Sequence, residues 1–497
     1  MSTVPALGPK PLFIGNQWIQ DTPEHITSIN PATGEVNYEV CAATEAHVDA
    51  AVKIAHEAAH KASWRNMLPH VRAQMLHKFA DVMMAHSDEI ARCQMVENGK
   101  VWKESKFQVA AAAASFRYFA SACETLGGEI TPARGNYLAM TVYEPYGVVA
   151  AITPWNSPLT LTCNKLAAAL AAGNAVIIKP ASITPMCGLV LGKVALEAGL
   201  PPGVVNILPG RGSSMGDALV KHSDVRMVSF TGGTEVGRRI AKLAGEKLIP
   251  VGLELGGKSP HIVFADANLT AAADAATISI FEGSGQSCIA GSRLFVQHTV
   301  MDQVLSLILE RTRALQVDLP DAEGAQLGPI ASFGQRDFIE QIVGTATKEG
   351  GSVVIGGTRP CDPRLQKGAF YLPTILTGLS NKSTAAQVEI FGPVLVVLPF
   401  DDEDDLLQQA NDTVYGLAAG VWTADYKRAW RLARALQAGT VWINTYKQLS
   451  IAAPFGGYKD SGIGREKGLQ GLRNYQAVKS IYLSMSDGFD GGFTTGK

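Results

Sequence analysis

The sequence is poor in charge and has no long apolar segment. Charged residues make up 18% of its 497 residues, and the formal net charge is −2. This balance excludes a disordered chain and gives no overall attraction to nucleic acid or to an acidic membrane surface. The longest apolar stretch, residues 166–178, is interrupted by Gly173 and Asn174 and is too short to span a bilayer. We therefore expect no nucleic-acid partner and no membrane partner.

The sequence also lacks cysteines that are spaced for pairing or for zinc. Its seven cysteines are scattered, without a C-x-x-C pair. This argues against a disulfide framework and against a structural zinc site, and no metal is expected. The first residues do not show the basic segment and apolar run of a secretory signal. We expect a reducing, cytoplasmic location.

The pattern of apolar residues predicts two α/β units. Residues 46–125 show helical spacing, and from Tyr146 short apolar strands alternate with helical segments. The alternation begins again after Glu254, and such alternation is typical of parallel βαβ units. We predict an α/β fold with two doubly wound parallel-sheet domains. Two β-rich segments outside these runs, 137–144 and 478–485, are predicted to be edge strands or a protruding ribbon.

Among the cysteines, Cys288 has the surroundings of a reactive thiol. It lies in the segment 283–293, where glycines and serines leave room for a substrate to approach the sulfur. A nucleophilic thiol also needs a base, a cation or a dipole that favours the thiolate, and the sequence does not identify one. The alternative is a buried structural thiol, which is our interpretation of the other six cysteines.

Two further polar residues lie at predicted strand ends. Glu254 stands between two leucines, where burial would raise its pKa toward values suited to a general base. The alternative is an ion pair with Lys258. Asn156 lies between Pro154 and Pro158 at the carboxyl end of a predicted strand, where open α/β sheets bind ligands. Its amide could donate to an oxyanion or only stabilise a turn.

Several other residues follow predicted strands in positions that suit a nucleotide. Lys179 ends a predicted strand and could reach a ribose or a phosphate, or be a plain exposed charge. Gly232 and Gly237 lie between a strand and a helix, where a phosphate can bind at a helix N-terminus. The segment that begins at Glu389 and the glycine-rich segment 454–466 could equally be turns.

Taken together, these segments resemble the aldehyde dehydrogenase superfamily over almost the whole chain. Seven motifs occur in the order that is typical of that family. They are PWNSP at 154–158, KPAS at 179–182, FTGGTEVG at 230–237, LELGGKSP at 253–260, GQSCIAGSR at 285–293, EIFGP at 389–393 and PFGGYKDSGIGRE at 454–466. The resemblance implies a non-acylating oxidoreductase that acts on a small-molecule aldehyde with NAD or NADP.

The resemblance also implies roles for individual residues. Cys288 would attack the aldehyde to form a thiohemiacetal, while Asn156 stabilises the oxyanion. Hydride transfer would leave a thioester, and water activated by Glu254 would hydrolyse it. Lys165 and Glu466 would help to pass on the proton. The implied cofactor-binding residues are Thr153, Pro154, Trp155, Lys179, Ser182, Gly232, Gly233, Thr234, Gly237, Glu389 and Phe391.

Domain boundaries and assembly follow from the same resemblance. Residues 1–126 and 147–253 would form a Rossmann-like dinucleotide-binding domain, and residues 254–466 a catalytic domain. Residues 127–146 and 467–497 resemble the ribbon through which the family forms oligomers. We expect a homodimer or a homotetramer.

The sequence departs from the common family pattern at two places. Many NAD-preferring members carry a glutamate three residues after the motif lysine, where this chain has Ser182. A carboxylate would repel a 2′-phosphate and a hydroxyl would not, so we expect NADP to be accepted alongside NAD. Small or polar residues also replace frequent aromatics in the pocket, which predicts room for larger aldehydes, including aromatic ones. The predicted pocket residues are Ser157, Leu161, Asn164, Ile289, Leu449 and Phe455.

Other interpretations remain open. A relative that acylates coenzyme A would pass the acyl group to a second thiol, although Glu254 favours water. A semialdehyde-specific relative could use Lys447 to attract a substrate carboxylate, unless that lysine is simply exposed. A binding protein without catalysis would lack Cys288, Glu254 or Asn156. A thiol hydrolase would need a histidine partner, and the motif around Cys288 contains none.

Overall fold

The computed structural model describes residues 10–487, so the outer ends of the predicted segments 1–126 and 467–497 lie outside the described residues. The strands are β1 (Leu12–Ile14), β2 (Gln17–Ile19), β3 (His25–Ile29), β4 (Val36–Cys41), β5 (Glu129–Thr131), β6 (Tyr137–Pro145), β7 (Val148–Ile152), β8 (Ala175–Lys179), β9 (Val205–Ile207), β10 (Val225–Thr231), β11 (Val251–Glu254), β12 (Pro260–Val263), β13 (Arg293–Gln297), β14 (Ser352–Ile355), β15 (Thr374–Thr377), β16 (Val394–Phe400), β17 (Tyr415–Gly416), β18 (Ala418–Trp422), β19 (Thr440–Ile443), β20 (Tyr458–Lys459), β21 (Gly462–Ile463) and β22 (Gln476–Ser484).

The helices lie mainly between these strands. They are α1 (Glu45–His60), α2 (Ala62–Arg65), α3 (Pro69–Ala85), α4 (Ser87–Asn98), α5 (Trp102–Thr125), α6 (Pro158–Ala171), α7 (Met186–Ala198), α8 (Asp217–Lys221), α9 (Thr234–Glu246), α10 (Leu269–Phe281), α11 (Met301–Ala314), α12 (Phe333–Lys348), α13 (Thr384–Gln387), α14 (Glu403–Asn411), α15 (Tyr426–Ala435) and α16 (Gly468–Arg473). Within residues 10–487, no helix has the length and apolar character that a membrane crossing requires.

Two large sheets confirm the predicted α/β fold. The first has the order β2-β1-β9-β8-β7-β10-β11-β21, and its five central strands from β9 to β11 are parallel. The second has the order β14-β15-β16-β13-β12-β18-β19 and is parallel except for β14. The connection from Glu254, at the end of β11, to Pro260, at the start of β12, links the two sheets.

Packed side chains cover both faces of each large sheet. In β7, Val149 and Ala151 pack in one apolar core, whereas Val148 and Ala150 pack in another. The strands of the second sheet divide in the same way between two further cores. Because side chains alternate across a strand, two buried faces produce the almost continuous apolar runs seen in the sequence.

The two β-rich segments form a small sheet of their own. β22 pairs antiparallel with β6 over its whole length, from Gln476 opposite Pro145 to Ser484 opposite Tyr137. β5 adds the third strand on the other side of β6. The predicted ribbon is therefore built from two segments that lie more than 300 residues apart in the chain.

Two continuous apolar patterns of the sequence are divided in the structure. Residues 71–89, within the predicted helical stretch 46–125, are shared by α3 and α4, because the chain leaves the helix at His86. The apolar run at residues 416–422, in the predicted α/β unit after Glu254, is broken at Leu417 into β17 and β18. β17 pairs with β20 instead of joining the second sheet. The pattern of apolar residues continues across both breaks, which hides them in the sequence.

Candidate active site

The carboxyl ends of four neighbouring strands meet at one edge of the first sheet. Ile152, at the end of β7, pairs with Lys179 on one side and Phe230 on the other. Thr231 pairs with Glu254 at the end of β11. Ligands bind open α/β sheets at this kind of edge, and most of the predicted cofactor residues lie on it or in the loops that follow.

The Asn156 loop contacts the loop that carries Cys288. Asn156 is buried, and its Nδ2 donates to the carbonyl of Gln286 at 2.9 Å. An amide NH2 has two donors, so one N–H remains for a substrate oxyanion. Asn98, which was not predicted, donates to the carbonyls of Trp155 and Asn156 at 3.2 Å each. These bonds fix the amide beside the cysteine.

The Cys288 thiol lies in a desolvated, negatively charged environment. Burial, then the charges of Glu389 and Glu254, raises the pKa of the thiol to about 12. The thiol is therefore neutral at physiological pH, and a base must accept its proton before it can attack a carbonyl. A β-carbon on Gly257 would lie 2.3 Å from the Cys288 carbonyl oxygen, so only glycine fits where the two loops cross.

Glu254 is buried near a second carboxylate. Glu254 pairs with Gly462 of β21. Glu466, which follows Gly462 closely in the chain, exchanges two backbone hydrogen bonds of 2.7 Å with Phe455. Burial, and next the charge of Glu466, raises the pKa of Glu254 well above its usual value, while Lys165 opposes the shift. Within residues 10–487, Glu254 Oε2 has no hydrogen-bond partner, so it is free to accept a proton.

A row of buried, hydrogen-bonded side chains begins at the Glu466 carboxylate. Lys165 Nζ donates to Glu466 Oε1 and, at 3.1 Å, to Ser229 Oγ. The Tyr475 hydroxyl donates to the same Ser229 Oγ at 2.9 Å. Lys165 and Glu466 were predicted from the sequence, and Ser229 and Tyr475 were not. These hydrogen-bonded side chains can relay a proton away from Glu254.

A loop of the second sheet closes the site opposite the first sheet. Gly257 N–H donates to Glu389 Oε1 at 2.9 Å, and a β-carbon on Gly256 would lie 2.2 Å from Glu389 Oε2. Burial raises the pKa of Glu389 to about 7, although the Gly257 N–H opposes the shift. The Trp155 and Phe391 rings meet edge to face with centroids 5.2 Å apart. The Asn156 loop and the loop before β16 are thus in direct contact.

Unpaired polar groups along the strand-end edge fit a dinucleotide. Lys179 is buried, and within residues 10–487 the Pro180 carbonyl at 3.4 Å is the only hydrogen-bond acceptor of its ammonium. Burial lowers its pKa to about 8. Such a cation can bind ribose hydroxyls or a phosphate. Two threonine hydroxyls nearby, those of Thr153 and Thr231, have no hydrogen-bond partner within residues 10–487, and the Thr234 hydroxyl contacts Tyr415.

The turn before α9 provides backbone groups for a phosphate. Gly232 and Gly233 lie between β10 and α9, and the space where Gly233 would carry a β-carbon is open. Helix N-termini of this kind bind anions. Gly237 lies inside α9, where a β-carbon would meet Leu255 at 2.4 Å. This glycine therefore allows the helix to pack on the sheet and does not face a ligand loop.

Pro154 and Ser182 complete the predicted cofactor set. Pro154 is partly buried in the loop after β7. The Ser182 hydroxyl donates to the Gly210 carbonyl at 3.2 Å, and the residue stays partly exposed. No carboxylate replaces it as a partner for a ribose at this position.

The predicted pocket residues fall into an apolar and a polar group. Ile289 and Phe455 pack with Trp442 and Tyr446 beside Cys288. In the polar group, the Ser157 hydroxyl accepts a hydrogen bond from the Gln108 amide at 3.1 Å, and the Asn164 side-chain oxygen Oδ1 accepts one from the Ser115 hydroxyl at 2.7 Å. Leu161 is partly buried on α6, and Leu449 is 46% exposed in the loop after β19.

Three stretches match signatures of other enzyme classes, and none forms such a site. His56 and His60 form an H-E-x-x-H pattern at the end of α1, but their rings stack 4.2 Å apart. Residues 10–487 contain no cluster of three metal-ligating side chains. The G-x-x-x-x-G-K-S match at 252–259 connects two strands without the helix of a phosphate loop. Ser214, in the G-x-S-x-G match at 212–216, is exposed and contacts no histidine.

Comparison with known proteins identifies the family. The model of the family described as the aldehyde dehydrogenase family matches residues 18–481. The chain belongs to the aldehyde dehydrogenase family. The protein DhaS of Bacillus subtilis (strain 168) is 39% identical over 488 residues, which cover 97% of each chain. The enzyme is thus an aldehyde dehydrogenase, and solved structures of its relatives in complex with NAD+ support NAD(P) as its cofactor.

Solved structures agree in fold over nearly the full length of the enzyme. The NAD+ complex of an aldehyde dehydrogenase from Bacillus cereus superposes with a TM-score of 0.93 at 39% identity and covers 96% of this chain and 97% of that one. Betaine aldehyde dehydrogenase from Staphylococcus aureus, in complex with NAD+, gives a TM-score of 0.95 at 35% identity, with 98% and 96% covered.

Proposed function

We propose that the enzyme oxidises an aldehyde to a carboxylic acid through a thiohemiacetal and a thioester on Cys288. The observation that carries the proposal is the convergence of three groups from distant parts of the chain. The Asn156 amide is bonded to the Cys288 loop, and the charge of Glu254 acts on the thiol. All three groups lie beside the strand ends that suit a dinucleotide.

In the first step, Cys288 Sγ attacks the carbonyl carbon of the aldehyde. Because the pKa of the thiol is raised to about 12, its proton must leave to a base, and the free Oε2 of Glu254 is suited to accept it. The oxygen that becomes negatively charged accepts hydrogen bonds from the Asn156 amide and the backbone N–H of Cys288. These donors stabilise the charge as it forms.

Bound NAD or NADP supplies the hydride acceptor that turns the thiohemiacetal into a thioester. The NAD+ complexes of the Bacillus cereus and Staphylococcus aureus relatives support this cofactor class. In the present chain, Lys179 would hold the adenosine ribose and Glu389 the nicotinamide ribose. Gly232, Gly233 and Thr234 would contact the phosphates at the start of α9.

Before the last step, Glu254 passes the thiol proton on through its polar neighbours and is ionised again. Glu254 then takes a proton from a water molecule that attacks the thioester, the carbon–sulfur bond breaks, the acid leaves, and the sulfur takes that proton back from Glu254. The buried Lys165–Glu466 pair, with Ser229 behind it, relays the proton away from Glu254. A carboxylate in this position favours water over coenzyme A as the acyl acceptor.

Ser182 supports the use of NADP as well as NAD. Its hydroxyl lies where a carboxylate would repel a 2′-phosphate, and the buried, unpaired Lys179 supplies a positive charge nearby. For the aldehyde, Ser157 and Asn164 support a pocket wide enough for bulky or aromatic substrates.

Assembly and location are part of the proposal. A dinucleotide-binding domain (1–126 and 147–253) and a catalytic domain (254–466) would join through the β5–β6–β22 ribbon, within 127–146 and 467–497, into a homodimer or homotetramer. All seven cysteines are free, which supports a reducing, cytoplasmic location.

The test is formation of reduced nicotinamide from an aldehyde. Wild-type enzyme is assayed with NAD and with NADP against acetaldehyde, a medium-chain aldehyde and benzaldehyde, with Cys288→Ala as the control. We expect NAD(P)H only from wild type, and better turnover of the larger aldehydes. Equal activity of the Cys288→Ala variant would contradict the proposed chemistry, and a strong preference for acetaldehyde would contradict the wide pocket.

A further inference from the structure

Lys467 is a second lysine at the catalytic centre, and the sequence motifs did not single it out. It follows Glu466 directly and has a φ of +58°, a conformation that non-glycine residues adopt only where their surroundings hold them. Its Nζ lies over the Phe455 ring, 5.4 Å from the centroid. The ammonium is thus fixed against a ring that packs beside Cys288.

Lys467 differs from Lys165 and Lys447 because it has no acid partner in the described part of the chain. Lys165 is paired with Glu466, and Lys447 is paired with Glu282 at 3.2 Å. Within residues 10–487, Lys467 makes no ion pair and its ammonium has no hydrogen-bond acceptor.

The charge of Lys467 faces the reacting groups. Burial lowers its pKa, whereas the charges of Glu466, Cys288 and Glu254 oppose that shift. Lys467 is partly buried, and removing part of the water around a cation that has no ion-pair partner costs free energy. An anion that enters the pocket would reduce that cost and gain a charge-assisted hydrogen bond.

We propose that Lys467 makes the enzyme selective for aldehydes that carry a carboxylate at the end remote from the carbonyl. This inference rests on the proposed function, because it assumes that the aldehyde reacts at Cys288 beside Phe455. The aldehyde carbon would lie at the sulfur, and the remote carboxylate would bind the Lys467 ammonium across the Phe455 ring. Lys447, the lysine considered from the sequence, has its charge satisfied by Glu282 and the Ile278 carbonyl.

The experiment compares acids with matched neutral esters. kcat/KM is measured for 4-carboxybenzaldehyde and for 4-oxobutanoate, each against its own methyl ester. We expect wild type to prefer at least one acid over its ester by about tenfold or more, as for hydrogen bonds to charged groups. Lys467→Met should bring the ratio of acid to ester kcat/KM close to one, and Lys467→Arg should retain the preference. The ratio is taken within each variant, so a change in rate that acts through the catalytic groups affects acid and ester alike and cancels. Lys447→Met should leave the preference unchanged.

Several results would overturn the inference. One is a wild-type enzyme with the same kcat/KM for each acid and its ester. Another is loss of the preference in Lys447→Met while Lys467→Met retains it. A Lys467→Met variant that loses acid and ester rates equally, with a shifted pH profile, would show that Lys467 acts on the catalytic groups. Failure of the proposed function looks different, because neither the acids nor the esters would then yield NAD(P)H in wild type.

Discussion

The carboxylates of Glu254 and Glu466 lie in one buried region, with the Lys165 ammonium bound to the second. Two nearby carboxylates disfavour ionisation of both, and a cation favours it. The pKa of Glu254 is raised because burial and Glu466 outweigh Lys165. Glu254 therefore becomes an effective base only above the usual pH range of a carboxyl group. The activity should rise with pH as Glu254 loses its proton.

Glu466→Gln should shift this acidic limb of the pH profile to lower pH. The substitution removes the negative charge that raises the pKa of Glu254 and leaves Lys165 unpaired, and both changes favour the ionised form. We expect a shift of about one pH unit, measured as kcat against pH. Glu282→Gln, which neutralises a carboxylate outside this group, is the control. A limb that stays in place or moves to higher pH would argue against the electrostatic account.

Ser182→Glu should change the choice of cofactor. A carboxylate at this position would repel a 2′-phosphate, so the ratio of kcat/KM for NAD to that for NADP should rise by about tenfold or more. Ser182→Ala, which adds no charge, should leave NADP accepted. A wild-type enzyme that does not use NADP would contradict the role that we assign to Ser182.

At the scale of elements, crossing loops set the position of the nucleophile. The connection between β11 and β12 passes so close to the Cys288 loop that Gly257 has no room for a side chain. Gly285 has a φ of +72°, and a β-carbon there would lie 2.2 Å from the Gly392 carbonyl group. Segments from two sheets are thus locked together by backbone contact.

Gly257→Ala should therefore damage both stability and activity. The added methyl group must displace the Cys288 backbone, and we expect a loss of about 1–3 kcal/mol in unfolding free energy together with a large fall in kcat. The matched control is Gly344→Ala in α12, where the added methyl meets nothing and should stabilise by about 0.5–1 kcal/mol. Thermal unfolding and steady-state kinetics measure the two effects. A Gly257→Ala variant with normal kcat would contradict the close crossing.

The elements that were predicted from the sequence are those with a strong local pattern. The parallel strands of both sheets are continuous apolar runs, and each predicted strand end carries the residue expected there, such as Asn156, Lys179 or Glu254. Short strands gave no such pattern: β1 to β4 and β21 were not predicted. β21 has two residues and is defined only by its pairing with β11.

The residues that hold the site residues in place by hydrogen bonds were not predicted, for a related reason. Asn98 holds the Asn156 loop from a position 58 residues earlier in the chain, and its own surroundings indicate only a turn. Ser229 lies within an apolar strand, and Tyr475 follows a short helix. Their roles depend on contacts between distant segments, and a single sequence does not record those contacts.

At the scale of the whole molecule, the three-stranded ribbon exposes a row of apolar side chains. Val478 is 65% exposed, Tyr482 is 68% exposed, and Ile130 on the opposite edge is 73% exposed. Exposed apolar edges of this kind favour association with another chain. They are the surface through which we expect copies of the enzyme to assemble.

Val478→Asp combined with Tyr482→Asp should reduce the assembly to a smaller species. The two aspartates lie on the same face of β22 and would have to be buried on association. Burying a charge without a partner costs free energy, while the interior of each subunit is unchanged. Sedimentation velocity measures the mass, and circular dichroism checks the fold. Lys479→Asp, at a neighbouring exposed position, provides a charge-matched control. A double variant that sediments like wild type would exclude this surface as the contact.

Trapping the acyl group on Cys288 tests the central chemistry most directly. Glu254→Gln is mixed with an aldehyde and NAD or NADP, quenched in acid, and examined by intact-mass and peptide mass spectrometry. We predict that Cys288 is acylated more slowly than in wild type, because its thiol must now lose its proton to solvent. Reduced nicotinamide still reaches about one per active site, an acyl adduct forms on the Cys288 peptide, and later turnover is slowed by about 10²-fold or more. Turnover at the wild-type rate, or an adduct on any other residue, would contradict the account.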